Sequence, residues 1–161
     1  MNIIKLAILG LLALATTGCA NNQDTYLTYV QAGDKVPVTQ FTDTQGSKID
    51  LAESSNNKLL ILFATWCHDS QRTMTLLANS NLHLSPNVDI IGIGREESPA
   101  ALDKFAAEYE LNFAMVADPN REIYTQFANS GIPRLILLDA DNRVVKTIIG
   151  EQDNPIKEVV W

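Results

Sequence analysis

The chain offers nucleophilic and redox chemistry at two cysteines, Cys19 and Cys67, and the surroundings of Cys67 are the more informative. An apolar run over residues 59–64 ends at a Trp66–Cys67 pair, and residues 68–79 have the spacing of a helix. This pattern predicts a buried strand that delivers Cys67 to the first turn of a helix. Unpaired backbone N–H groups and the positive end of the helix dipole meet there, and both favour a reactive thiolate. The alternative interpretation is a small cysteine buried in the core.

The sequence Phe-Ala-Thr-Trp-Cys67-x-x-Ser70 resembles the active-site segment of thioredoxin-like proteins, with Ser70 in place of the second cysteine of their Cys-x-x-Cys motif. The best match is the membrane-anchored TlpA/ResA-type branch, over about residues 33–150. The resemblance implies a thiol–disulfide oxidoreductase, and we expect it to need no bound cofactor. Because Ser70 cannot close an internal disulfide, the chain cannot cycle alone between dithiol and disulfide.

Other departures from that branch concern proton transfer. The position six residues before the cysteine is usually polar or acidic there, and here it is Ile61. Helix positions where Glu and Pro are common hold Thr73 and Thr75. The groups that move protons for a second cysteine are therefore missing, in agreement with the loss of that cysteine. A peroxiredoxin is disfavoured as well, because Leu60 and Ala64 replace the Pro and Thr of its Pro-x-x-x-Thr-x-x-Cys pattern.

The segment Gly-Ile132-Pro133 is the second landmark. In the family that the chain resembles, the matching segment holds a cis proline that faces the active cysteine. The exposed backbone of Ile132 would then pair with an extended partner chain, and Ile132 and Trp66 would form an apolar docking patch. The alternative is a trans proline that begins an edge strand.

The polar residues around Cys67 have two interpretations each. A cationic His68 beside the sulfur would further favour the thiolate. Alternatively, His68 and Asp69 are solvated at the helix start, and Asp69 only interacts with the positive end of the helix dipole. Ser70 would donate a hydrogen bond to the thiolate, or only fill space. His83 is interpreted as a surface residue, and two histidines this far apart predict no metal site.

Strand-like and helix-like segments alternate along the chain and then close in a hairpin. We expect strands at 38–42, 48–51, 59–64, 88–93, 113–116, 134–139 and 144–149, and helices at 68–79, 98–111 and 121–127, with a last helical turn or two at 154–161. This order predicts an α/β fold: a thioredoxin-like three-layer sandwich with a mixed central sheet, helices on both faces and an N-terminal β-hairpin.

The N-terminal sequence has the pattern of a bacterial export signal that ends at Gly18. Cys19 follows directly, which resembles a lipoprotein signal whose cysteine is lipidated and becomes the mature N-terminus. Because Ala20 and not Asp comes next, resemblance to proteobacterial sorting favours the outer membrane, with the domain facing the periplasm. The alternatives are an ordinary signal peptide that is cleaved nearby, or a core cysteine in an anchor that is not cleaved.

This interpretation divides the chain into a signal peptide (1–18), a flexible tether (19–32) and a thioredoxin-like domain (33–161). The chain has 12 Lys+Arg and 19 Asp+Glu, a net charge of −7. Without residues 1–18, Lys+Arg falls to 11 against 19 acids and the net charge is −8. Such an acidic balance argues against nucleic acid or an anionic lipid surface as a partner.

If Cys19 carries lipid, Cys67 is the only thiol of the mature chain, and a lone thiol in an oxidising compartment reacts or pairs outside the chain. A Cys19–Cys67 bridge is disfavoured, because it leaves the Trp-Cys motif without purpose. One hypothesis is a monothiol oxidoreductase that attacks mixed disulfides or sulfenic acids on exported partners and is released by an external thiol. The other is a non-catalytic module that binds a partner through Trp66 and Ile132 or traps it covalently.

Overall fold

Seven strands form two sheets in the computed structural model, which describes residues 26–161. They are β1 (Gln40–Thr42), β2 (Lys48–Asp50), β3 (Asn57–Phe63), β4 (Val88–Arg95), β5 (Ala114–Asp118), β6 (Arg134–Leu138) and β7 (Val144–Ile149). The central sheet has the order β5-β4-β3-β6-β7. Its pairs β3–β4 and β4–β5 are parallel, and its pairs β3–β6 and β6–β7 are antiparallel. The predicted mixed sheet is confirmed.

Strand β3 lies in the middle of this sheet and is buried on both faces, as its unbroken apolar run predicts. Leu60 and Leu62 face one apolar cluster, and Leu59, Ile61 and Phe63 face another. The strand is thereby held on every side at the point where the chain turns toward Cys67.

Both α-helices contribute to the same apolar cluster. Helix α1 (His68–Ala78) adds Met74 and Leu77, and helix α2 (Pro99–Glu108) adds Leu102 and Phe105. Ser98 caps α2, since its hydroxyl accepts a hydrogen bond from the Ala101 N–H at 3.2 Å. Glu110, at φ +54°, follows the end of this helix, which stops short of the predicted residue 111.

The opposite face of the sheet carries the hairpin β1–β2 and two single turns of 3₁₀ helix, Leu51–Glu53 and Tyr124–Gln126. A longer helix over 121–127 is therefore wrong. Arg121 has φ +61°, outside the helical region, and the Asp118 carboxylate accepts hydrogen bonds from the N–H groups of Ile123 and Tyr124. Helical structure thus lies on both faces, but unequally.

The N-terminal hairpin is a small separate sheet of β1 and β2. Its turn has Gly46 at φ +86°, which agrees with the expected turn at 43–46. Asp50 ends the hairpin and caps the next turn. Hydrogen bonds from the Gln40 side chain and then from the Ala52 N–H hold the pKa of Asp50 below its ordinary value.

Residues 26–32 of the predicted flexible tether lie against the domain. Thr28 forms a β-bridge with Ala128, and Val30 is buried in the core. Burial of Val30 and backbone pairing at Thr28 and Tyr29 explain this difference, since both hold the segment against the domain. Signal peptide 1–18, Cys19 and the tether as far as residue 25 lie outside the described residues.

Candidate active site

Cys67 lies where a central strand passes into a helix. Strand β3 ends at Phe63, and Cys67 has extended backbone angles (φ −88°, ψ 121°) directly before α1. Its carbonyl accepts the Gln71 N–H at 2.9 Å, so the cysteine begins the helical hydrogen-bond pattern. Cys67 is partly exposed and Trp66 is 60% exposed. The predicted strand–cysteine–helix arrangement is confirmed, and Cys67 is not one of the buried core residues.

The backbone of Ile132 faces this sulfur. The Ile132–Pro133 peptide bond is cis, as the resemblance implies. Cys67 Sγ lies 3.7 Å from the Ile132 carbonyl oxygen, the geometry of a weak S–H···O hydrogen bond. The Ile132 side chain is partly buried against the core, whereas the Trp66 ring is turned to solvent. The backbone of Ile132 therefore lies at the cysteine, and part of its side chain packs against the core and is not free to contact a partner.

Ser70 and His68 lie on different sides of the helix start. Ser70 is fully buried, and its Oγ accepts a hydrogen bond from the Ala64 N–H at 3.4 Å. His68 is exposed, and Asp69 pairs with Arg72, Oδ1 to Nη1 at 2.6 Å. The predicted hydrogen bond from Ser70 to a Cys67 thiolate is not tested by this structure. The predicted stabilisation of that thiolate by a cationic His68 also stays a prediction.

A buried acid, Glu97, supports the turn before the cysteine, and the sequence did not mark it. One carboxylate oxygen, Oε1, accepts both the Thr65 N–H at 2.7 Å and the Thr65 hydroxyl at 2.6 Å. Glu97 is only 6% exposed. The Gln71 side chain adds a bond to the Thr65 carbonyl at 2.7 Å, so both backbone groups of Thr65 are held.

Arg72 joins α1 to the segment that follows β7. Its Nη2 lies 3.3, 3.2 and 3.0 Å from the carbonyl oxygens of Gly150, Glu151 and Gln152. Gly150 in turn donates its N–H to the Pro133 carbonyl at 2.8 Å. The cysteine helix and the proline loop are therefore connected through a third segment, and no local pattern in the sequence indicates this.

Of the three positions that the sequence analysis connects with proton transfer, two are buried, Thr75 is exposed, and none carries an acid. Ile61 and Thr73 are both fully buried, and Thr73 Oγ1 has no hydrogen-bond partner. His83 lies in a 3₁₀ turn, Leu82–Leu84, just before β4 and away from Cys67. Within residues 26–161 no three His, Cys, Asp or Glu side chains are placed to hold a metal ion.

Comparison with known proteins finds thiol-disulfide oxidoreductases among the relatives. The chain is 28% identical to the thiol-disulfide oxidoreductase ResA of Bacillus subtilis over 123 residues, which is 75% of this chain and 69% of that protein. A candidate protein disulfide isomerase from Bacteroides thetaiotaomicron superposes with a TM-score of 0.73, 23% identity and coverage of 83% of this chain and 87% of that one.

A second solved structure is a secreted Mycobacterium tuberculosis disulfide oxidoreductase homologous to Escherichia coli DsbE. It gives a TM-score of 0.61 at 20% identity, over 71% of this chain and 85% of that one. The fold and the site define a thiol–disulfide oxidoreductase-like protein with the thioredoxin fold. Residues 31–160 match the Redoxin family model, and the chain belongs to the Redoxin family.

Proposed function

We propose that this protein is an exported, lipid-anchored thiol–disulfide oxidoreductase that uses Cys67 as its only redox-active sulfur. The observation that carries the proposal is the position of Cys67. Cys67 is a partly exposed residue at the start of α1, and its Sγ lies 3.7 Å from the Ile132 carbonyl oxygen, while Ser70 at the second motif position is a buried hydroxyl. A nucleophile is thus presented without a neighbouring thiol to displace what it binds.

The proposed reaction has two exchanges. The Cys67 thiolate attacks a mixed disulfide on a partner, forms a new disulfide bond to one of its sulfurs and releases the partner's other sulfur as a thiolate. An external thiolate then attacks this new disulfide, forms a disulfide with the captured group and returns Cys67 to the thiolate. With a sulfenic acid as substrate, the first step releases hydroxide instead. For a mixed disulfide, one external thiol is consumed, and it leaves as a disulfide with the captured group while the partner keeps a free thiol. For a sulfenic acid, the captured group is the partner itself, so the external thiol first forms a mixed disulfide with the partner. That mixed disulfide passes through the same two exchanges, and a second external thiol is consumed before the partner's thiol is free.

An extended partner segment would dock beside the sulfur. The Ile132 backbone offers a strand-like edge, and the exposed Trp66 ring offers apolar area next to it. Lipid at Cys19 would keep this surface at the cell envelope, and the proposed location is the periplasmic side of the outer membrane. No helix among residues 26–161 is long and apolar enough to cross a bilayer.

Reduction of a protein–glutathione mixed disulfide by added glutathione tests the proposal. Wild type should accelerate the release of the model protein's thiol, and Cys67→Ser should fall to the uncatalysed rate. Ser70→Ala is the matched control, because it removes the hydroxyl and keeps the sulfur. Equal rates for wild type and Cys67→Ser would overturn the proposal.

The second candidate function is covalent capture of a partner by a module that does not turn over. The buried Ser70 favours it, because nothing in the motif releases a captured sulfur. Non-reducing electrophoresis of cell envelopes separates the two functions. Adducts that depend on Cys67 and persist with excess glutathione support capture, whereas adducts that glutathione removes rapidly support turnover.

A further inference from the structure

Three apolar side chains at the N-terminal end of the described residues are exposed, in a segment that pairs with residues 127–129. Tyr26, Leu27 and Tyr29, here called the aromatic strip, are exposed by 41, 51 and 53%. Their backbone is fixed to the domain, since the Tyr29 N–H donates to the Phe127 carbonyl and the Leu27 N–H to the Asn129 side chain, both at 2.8 Å. The strip is therefore held in place rather than loosely attached.

The direction of this pairing brings the chain toward Cys67. The bridge of Thr28 with Ala128 is antiparallel, so the strip advances toward residue 131 as it runs back toward the N-terminus. A Cβ added at Gly131 would lie 3.1 Å from the Tyr26 ring, which shows that the two residues touch. Gly131 directly precedes Ile132, whose carbonyl faces the Cys67 sulfur. Tyr26, the first described residue, therefore lies beside the loop that faces Cys67.

The distance to a lipid at Cys19 is short. Residues 19–25 span at most roughly 25 Å even when fully extended. Residues 26–32 carry no charge, although the chain has a net charge of −7. Tyrosine rings with a polar end, next to leucine, are the side chains that settle at the boundary between headgroups and acyl chains.

We propose that the aromatic strip rests on a bilayer of zwitterionic lipid and turns the catalytic face toward it. Cys67 then reacts with disulfides that partner proteins hold at the membrane surface, in preference to those of freely diffusing proteins. This inference rests on the proposed function, through the lipid at Cys19 and the accessible thiol at Cys67. The acidic net charge favours a zwitterionic surface over an anionic one.

Fluorescence quenching tests the orientation on the full lipidated chain in phosphatidylcholine vesicles. Cys67 is labelled with bimane, and part of the lipid carries a nitroxide on its headgroup. The matched control is Leu84→Cys in a Cys67→Ser background. Leu84 is 66% exposed and precedes the start of β4, whereas Cys67 follows the end of β3, so the two positions lie at opposite ends of the central strands. We expect a large loss of fluorescence at position 67 and little at position 84. Equal quenching at both positions would overturn the proposal.

A Gly/Ser spacer of about 20 residues inserted after Asn22 separates the strip from the tether, since it adds roughly 25 Å of average reach. Quenching at Cys67 should survive the spacer and be lost when Leu27→Ser and Tyr29→Ser are added to it. Loss with the spacer alone would show that tether length, and not the strip, holds the face, and would overturn the proposal. A Cys67 that does not react with bimane would overturn the proposed function instead. In that case the orientation is measured with bimane on Leu27→Cys in the Cys67→Ser background. Stronger quenching at position 27 than at position 84 supports the proposed orientation, and equal quenching at the two positions overturns it.

Discussion

At the residue scale, the Cys67-x-x-Ser70 motif differs from Cys-x-x-Cys by an oxygen in place of one sulfur. Ser70 occupies the second motif position with its hydroxyl directed to the Ala64 N–H. It is fully buried beneath the partly exposed Cys67. The second motif position is therefore occupied by a buried hydroxyl, which cannot form a disulfide with Cys67.

Ser70→Cys should restore internal release. Excess 5,5′-dithiobis(2-nitrobenzoate) should free one thionitrobenzoate from each wild-type chain with lipidated Cys19, because Cys67 keeps the second as a mixed disulfide. The variant should free two and form a disulfide between Cys67 and the introduced thiol, and absorbance together with intact mass measures both. A stable adduct on the variant would contradict this prediction.

Glu97 is the residue on which the shape of the turn before Cys67 depends. Glu97→Ala leaves the Thr65 N–H and hydroxyl without their shared acceptor, and should lower the free energy of unfolding by about 1–3 kcal/mol. Glu97→Gln keeps an oxygen acceptor and should lose less. Urea denaturation compares the three proteins, and an alanine variant as stable as wild type would show that the turn holds without the carboxylate.

At the element scale, three segments that are distant in sequence meet around the sulfur: the start of α1, the loop before β6 and the end of β7. Arg72 and Gly150 make the connection, one through its guanidinium and the other through its lack of a side chain. The spacing of the cysteine from the Ile132 backbone is thus fixed by packing outside the motif.

Gly150→Ala should disturb that packing. The added Cβ would lie 2.5 Å from Pro133 Cγ and 3.3 Å from the Pro133 carbonyl oxygen, so the loop must shift at a cost of about 1–3 kcal/mol in stability. The rate of Cys67 with a peptide mixed disulfide should fall more than its rate with a small reagent, because peptide docking needs the loop.

Gly33→Ala is the control for this effect. Gly33 has φ +93° and no atom within 4 Å of an added Cβ, so the change strains the backbone away from the site. It should lower stability and leave the ratio of the two Cys67 rates unchanged. A similar ratio change in both variants would assign the effect to general loss of stability.

Elements defined by neighbouring residues were predictable, and those defined by distant contacts were not. The apolar run of β3, the helix after Cys67 and the Gly-Ile-Pro landmark all follow from short patterns. Glu97 acts on a residue 32 positions away, and Arg72 on one 78 positions away, so no window of sequence contains both partners. The sequence predicts a short helix over 121–127, where the structure has a single 3₁₀ turn. The positive φ at Arg121 that interrupts the helix cannot be recognised from the residue types alone.

At the scale of the whole molecule, stability should be highest in the middle of the sheet. Strands β3 and β6 have partners on both sides and are fully buried, apart from the first residue of β3. The hairpin β1–β2 is a separate sheet of three-residue strands. Hydrogen exchange followed by mass spectrometry should find the slowest amides in β3 and β6 and the fastest strand amides in β1 and β2. Equal protection of the hairpin and the central strands would contradict this expectation.

Tyr26 and Trp161, the first and last described residues, lie at opposite ends of the central strands. Tyr26 lies beside Gly131, at the end where Cys67 lies. The Trp161 indole N–H instead donates to the Leu138 carbonyl at 2.8 Å, and Leu138 pairs with Lys58 near the start of β3. A fluorescent protein or affinity tag joined near Tyr26 would stand over the cysteine and obstruct large substrates. The same cargo joined after Trp161 would leave the sulfur open, so handles for purification and imaging belong at the carboxyl end.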